Sequence, residues 1–174
     1  MPEMTRLAEL ADKQAITEIL YLYARGWDRM DEETLRACFH PDSTHQHGGF
    51  VGSSSDFIRF GLEACRNVRG MSHLITNPLI VVKGDRAISE CSFLAHHRRP
   101  RTDGGDGEED FFLKGRYLDQ FERRDGVWKI ARREGYHDFE RVELPADRTL
   151  GKASADQLGH YKPDDALYRM FAEF

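Results

Sequence analysis

The chain has 174 residues, of which 40% are hydrophobic and 32% charged, enough for one domain with a single core. Eleven Phe, six Tyr and two Trp exclude a disordered chain, which lacks the aromatics that nucleate a core. A net charge of -5, with no basic cluster interleaved with aromatics, leaves nucleic acid and anionic membranes no electrostatic hold.

The N-terminal "MPEMTRLAELADKQ" is charged and has no apolar signal core, and no run approaches the ~20 apolar residues of a membrane span. Cys38, Cys65 and Cys91 are odd in number and widely spaced, with no CxxC pair. This pattern is expected of reduced thiols in a cytoplasmic protein rather than of a disulfide framework.

Leu7, Leu10, Ala11, Ile16, Ile19, Leu20, Tyr23 and Trp27 recur mostly at three- and four-residue steps, the helical period, with Gly26 weakening the helix near its end. A short second helix is predicted in "DEETLRACF", with Asp31 as N-cap, and His40-Pro41 should stop it. "STHQHGGFVGS" reads as a strand or hairpin broken by Gly48 and Gly49. Ser53, Ser54 or Ser55 then caps a third helix in "DFIRFGLEACR".

From Ser72 the period changes to that of strands, in "SHLITNPLIVV", "RAISECSFLAHHR", "FFLKGRYLDQFER" and "VWKIARREGYHDF". "KGDR" and "RRDGVW" are tight turns between them, and "RRPRTDGGDGEED" is a long exposed hairpin loop. After Glu143 the chain is punctuated by Pro145, Gly151, Gly159 and Pro163, leaving one short helix near "PDDALYRMF". We therefore expect a domain over residues 1–143, and an extension over 144–174 that docks on its own or a neighbouring subunit. Helices followed by an antiparallel meander imply an α+β fold, a curved sheet enclosing a cone-shaped cavity beside the long first helix.

Two residues in this frame can do chemistry together. Asp28 follows the first helix pattern and His73 opens the first long strand, so both can reach the cavity. A carboxylate that accepts a hydrogen bond from one imidazole nitrogen fixes the tautomer and makes the other nitrogen the better base. Spacing alone leaves the ordinary alternatives open: a hydrogen-bonded core histidine, and a helix-end aspartate in water. Tyr23 reaches the same cavity if the helix unwinds at Gly26, and otherwise is an amphipathic core residue. Arg132 and Arg133 alternate across the last strand, so one faces inward, where it can stabilise developing negative charge. Trp27, His45 and His47 are candidate pocket-lining residues. Two strand histidines with a third from elsewhere could hold zinc, but no HExxH or cysteine cluster accompanies them, and no metal is expected. No GxGxxG, GxxxxGK[ST] or GxSxG occurs, so nucleotide binding and serine-hydrolase chemistry lack support.

From "LADKQAITEILYLYARGWDRMDEETLRACFHPD" through "MSHLITN" to "YLDQFERRDGVWKIARREG", the chain resembles the SnoaL-like branch of the nuclear-transport-factor-2-like (NTF2-like, cystatin-like) superfamily. Within it the likeness is to the cofactor-free dehydratases and dehydrochlorinases represented by scytalone dehydratase, bile-acid dehydratase and hexachlorocyclohexane dehydrochlorinase. The resemblance implies a cone-shaped α+β barrel, no cofactor, a small-molecule substrate, a homo-oligomer (trimer or dimer) and a catalytic His-Asp pair. By position it implies His73 and Asp28 as the pair, with Tyr23 in the polar position before the aspartate. It also favours Arg133 over Arg132, counted from Trp128 in "DGVWKIARRE". His45 and His47 stand where some relatives place apolar residues, so the substrate is expected to carry oxygen functions. The implied activity is that of a lyase. The alternatives are a polyketide-cyclase or steroid-isomerase-like enzyme, or a non-catalytic ligand-binding or dioxygenase-β-like subunit.

Overall fold

The computed structural model describes residues 3–147 and 150–174. Helix α1 spans Glu3–Asp28 and buries Ile16, Leu20, Tyr23 and Trp27 in one stripe, the spacing expected of a core-facing helix. It does not unwind at Gly26. The helix continues through Asp28, and the glycine instead lets the next helix approach, because an added Cβ would stand 2.7 Å from Leu35 Cγ. Helix α2, Glu32–Ala37, is capped by Asp31, which accepts a hydrogen bond from the Thr34 N–H at 3.3 Å.

Strand β1, Phe39–His47, begins before His40-Pro41 rather than after it. Pro41 is tolerated because the pairing register breaks between Phe39 and Thr44, where no ladder donor is needed. Strand β2, Phe50–Ser53, returns antiparallel after a turn with Gly48 at φ +55°, and Ser53 caps α3, Ser54–Ala64. The strands β3 (Gly70–Lys83), β4 (Arg86–Pro100), β5 (Glu108–Arg124) and β6 (Val127–Glu143) form the antiparallel meander. Asp125 and Gly126, at φ 51° and 81°, make the tight turn expected of Asp-Gly. The β4–β5 loop is shorter than the sequence suggests, 101–107, because Arg99 pairs with Glu109 and Pro100 with Glu108.

The sheet order is β2-β1-β6-β5-β4-β3, with β1 joining β6 in parallel. Register shifts after Thr76, Lys114 and Gln120 bend the long strands. At one bend only glycine fits, since a Cβ on Gly115 would collide with the Tyr136 carbonyl and the Phe93 ring. The curved sheet wraps α1, giving the α+β cone with its core between them, where Phe93, Phe121 and Ile130 are almost wholly buried. Each such side chain contributes roughly 1.5–3 kcal/mol of transfer free energy. The outer face of β3 and β4 leaves Leu79, Val81 and Ile88 exposed. The last segment has two 3-10 turns, Leu150–Lys152 and Ala155–Gln157, then helix α4, Ala166–Glu173. No helix among the described residues is long and apolar enough to cross a membrane.

Candidate active site

Between α1, α3 and the inner face of the sheet lies a cavity of about 140 Å³. Its walls are Tyr23 and Trp27 of α1, His47 of β1, Phe57 and Gly61 of α3, and Cys65, with Met71, His73, Phe93, Ala95, His97, Leu113 and Tyr117. Asp28 stands behind His73. One carboxylate oxygen accepts a hydrogen bond from His73 Nδ1 at 2.7 Å, and the other accepts from the His73 backbone N–H at 3.1 Å. The two side chains are 17% and 10% exposed. With Nδ1 occupied, Nε2 is the nitrogen left for other chemistry.

The position of Asp28 costs the fold something. It is the last residue of a long helix, where the macrodipole disfavours a negative charge. Two donors from His73 offset that cost, so the start of β3 and the end of α1 hold one another. Asp28 and Tyr23 point to different sides of the unbroken helix, and His73 bridges the difference by reaching from the cavity wall to the carboxylate.

Tyr23 is almost completely buried, its ring edge-on to Trp27, Phe39 and Tyr117. Burial raises its pKa, against the pull of the nearby Arg133 charge, and the same burial raises that of Tyr117 well above the usual phenol range. Arg133 does face inward, as alternation predicts, but at this register inward means beneath the two tyrosines and not into the cavity. Its guanidinium carbon lies 4.0 Å from the Tyr23 ring centre and 4.3 Å from that of Tyr117. Nε and Nη2 donate to Asp119 at 2.6 and 2.7 Å, and both side chains are 0% exposed. Arg133 is not among the residues that line the cavity and lies behind its tyrosine wall. Arg132 points outward to Glu134.

His45 and His47 share one strand face, yet only His47 lines the cavity. His45 pairs with Arg133 across β1 and β6 and lies flat on Phe57, with ring centres 3.8 Å apart. Burial takes its pKa down to about 2, so it is a neutral core ring and the expectation that it lines the pocket is corrected. His47 is near the rings of His137 and Tyr117, and burial lowers its pKa to about 3.

His97 is the lining residue sequence reasoning passed over as a site. Its ring is 5.4 Å from that of His73, its Nε2 is buried without a hydrogen-bond partner, and burial takes it down to about 3. Phe93 and Tyr117, stacked 4.4 Å apart, were likewise unmarked. The signal for these residues is the alternation Phe93, Ala95, His97 on β4, which becomes legible only when the His73–Ala95 register is known. Among the described residues, no three His, Cys, Asp or Glu side chains converge in a metal-ligating group.

Residues 8–134 match the SnoaL-like domain. The chain belongs to the SnoaL-like family. It is 29% identical over 128 residues to terrestric acid biosynthesis cluster protein E of Penicillium crustosum, covering 70% of this chain and 80% of that one. Among solved structures, a candidate scytalone dehydratase from Novosphingobium aromaticivorans superposes with a TM-score of 0.67 at 27% identity, covering 84% of this chain and 97% of the other. The hexachlorocyclohexane dehydrochlorinase LinA-type3 from Novosphingobium barchaimii shares the fold at 19% identity, with a TM-score of 0.71 and coverage of 82% and 97%. The family match takes in Tyr23, Asp28, His73 and Arg133 and stops short of the tail after Glu143.

Proposed function

We propose that the protein is a cofactor-independent lyase, a dehydratase or dehydrohalogenase acting on a small hydrophobic, cyclic or aromatic molecule that carries oxygen functions. The observation that carries this reading is the 2.7 Å hydrogen bond between Asp28 and His73 Nδ1, at the wall of an aromatic cavity. His73 Nε2 takes a proton from a carbon acidified by its neighbours. The electron pair of that C–H bond forms the new double bond, and the leaving group departs from the adjacent carbon with its own electron pair. Asp28 keeps the imidazole in one tautomer and stabilises the imidazolium as it forms. Tyr23 gives a hydrogen bond to the departing oxygen or halide, with Arg133 polarising the phenol from behind. The 27% identical candidate scytalone dehydratase supports a dehydratase-like reading, and the family match is consistent with it.

The test is to offer the purified protein β-hydroxy ketones and chlorinated cyclohexanes, and to weigh the products. An elimination loses water or hydrogen halide, whereas a cyclisation by addition, or an isomerisation, conserves mass. His73→Ala and Asp28→Asn should each lower turnover about 100- to 10,000-fold, the usual contribution of positioned acid–base catalysis. Full activity in both variants would overturn the mechanism.

A further inference from the structure

The tail from Leu158 onward docks beside the end of α1 and the start of β3, the two elements that carry Asp28 and His73. Tyr161 donates its hydroxyl to the Val68 carbonyl at 2.7 Å, and its half-buried ring packs, like Cys65, against the core cluster. Lys162 donates its backbone N–H to the Arg29 carbonyl at 2.9 Å. Arg29 also faces the Asp165 carboxylate, at 3.6 Å.

The strongest attachment is at Asp31, which is 2% exposed. Its carboxylate accepts from Lys162 Nζ at 2.9 Å, from the Tyr168 hydroxyl at 2.8 Å and from the Thr34 hydroxyl at 2.8 Å. Burial opposes ionisation there, but the bonds from Lys162, Tyr168 and Thr34 prevail and hold the group well below the usual carboxylate range. The tail is thus bonded to Arg29 and Asp31, on the turn that leads directly out of Asp28.

A groove of about 460 Å³ runs along the inner side of this segment, bordered by Arg29, Ser72, His96, Arg98, Leu158 and Tyr161. Met71 lines both this groove and the inner cavity, so the two meet at that side chain. The tail is lightly held for something so placed. It adds no strand to the sheet, no residue of α4 is buried, and Met170 and Phe171 are exposed. A segment anchored by two partly buried tyrosines and a few polar bonds, with none of its helix buried, opens at much lower free energy than the core.

We propose that residues 158–168 form a hinged strap over the Asp28–His73 pair, latched by Asp31 to Lys162 and Tyr168, and that ligands reach the cavity past Met71 and Tyr161 when it lifts. Closed, the strap keeps water from the outer side of the pair and steadies the turn that carries Asp28; open, it joins the groove to the cavity. Covers of this kind isolate a reaction from water while it proceeds. The inference concerns access, so it holds for any ligand of the cavity and does not depend on the lyase reading.

Cys65 provides a readout that needs no substrate. It is a free thiol on the cavity wall, joined to Tyr161 through Val68, whose N–H donates to the Cys65 carbonyl at 2.9 Å and whose carbonyl accepts from the Tyr161 hydroxyl, whereas Cys38 and Cys91 are buried in the core. The full-length chain is treated with a dithionitrobenzoate reagent, and Cys65→Ser assigns the signal. Lys162→Met/Tyr168→Phe should speed Cys65 labelling at least about tenfold, the effect of losing one charge-assisted hydrogen bond, with Cys38 and Cys91 unchanged. Tyr161→Ala should do the same with the latch intact. An unchanged Cys65 rate in both variants, or all three thiols speeding up together as in global unfolding, would overturn the strap.

Discussion

Arg133→Met isolates the charge beneath the tyrosine wall. In the native protein the guanidinium and the Asp119 carboxylate are fully enclosed and joined by two hydrogen bonds of 2.6 and 2.7 Å. Methionine leaves Asp119 with a 3.5 Å contact from the Ser89 hydroxyl as its remaining side-chain donor. Stranding one partner of a buried pair costs about 3–5 kcal/mol. At about 2–4 °C per kcal/mol for a domain of this size, the melting temperature should fall by about 6–20 °C. Asp119→Leu should cost a similar amount by stranding the arginine. The double variant Arg133→Met/Asp119→Leu should recover most of the loss, because an apolar pair of similar volume is often no worse than a buried ion pair. Thermal and urea melts of the four proteins, followed by circular dichroism, give the cycle. Because Arg133 does not touch the ligand, the double variant should also keep turnover within about tenfold of wild type, not the 100- to 1,000-fold loss that follows removal of a direct oxyanion donor. A single variant that melts within about 2 °C of wild type, less than one kcal/mol for a domain of this size, would refute the buried pair.

Acid should destabilise the fold through its neutral histidines. His45, at about 2 in the fold against an ordinary 6.5, takes up its proton only on unfolding, so its contribution is complete above pH 6.5 and is lost as pH falls from there towards 2. The slope is about 1.4 kcal/mol per pH unit for each such group, and His47 and His97, both near 3, act in the same direction over pH 6.5 to 3. Urea midpoints measured from pH 7 to pH 5 should therefore fall, and less so in His45→Phe; a flat profile would contradict the burial of these rings. Gly61→Ala tests the packing of α3 on the cavity, since the added Cβ would overlap the Trp27 indole. Displacing that ring should cost about 1–3 kcal/mol and shift tryptophan emission; an unperturbed spectrum with wild-type stability would show that the contact yields freely.

The fold was legible where local chemistry decides it. The helical stripe from Ile16 to Trp27, the Asp31 cap and the Asp125-Gly126 turn all follow from residue type and spacing, while the α3 cap was narrowed to three serines, of which the fold uses Ser53. The limits appear where a residue's surroundings come from distant chain. Alternation correctly turned Arg133 inward, but only the packing of Tyr23 and Tyr117 decides that inward is a sealed layer. The same face of β1 carries His45 into the core and His47 to the cavity, because Phe57 of α3 covers the first more completely. Gly26 was a fair signal of a special position, read for the wrong purpose: closeness to Leu35 rather than a break. His97 stood out only as one of the strand histidines weighed for zinc, with no local mark of a place in the cavity. Its place beside His73 arises from the β3–β4 register, which no single strand encodes.

The groups on the cavity wall favour His73 as the base of the proposed reaction. Burial keeps the His47 and His97 rings neutral and raises the Tyr23, Tyr117 and Cys65 protons beyond easy loss. Among the lining residues His73 is the one hydrogen-bonded to a carboxylate, and that carboxylate stands behind it. Arg133 is paired with Asp119 and separated from the cavity by the Tyr23 and Tyr117 rings, so its charge reaches a ligand only through them. An anion or cation entering this space would lose its hydration and find no bare counter-charge, a large penalty in a low-dielectric site. An uncharged molecule with polar oxygens instead finds aromatic faces to stack on and unfilled imidazole nitrogens to bond. In the proposed elimination, charge develops only as the reaction proceeds, next to His73, whose hydrogen-bonded partner Asp28 is placed to stabilise it.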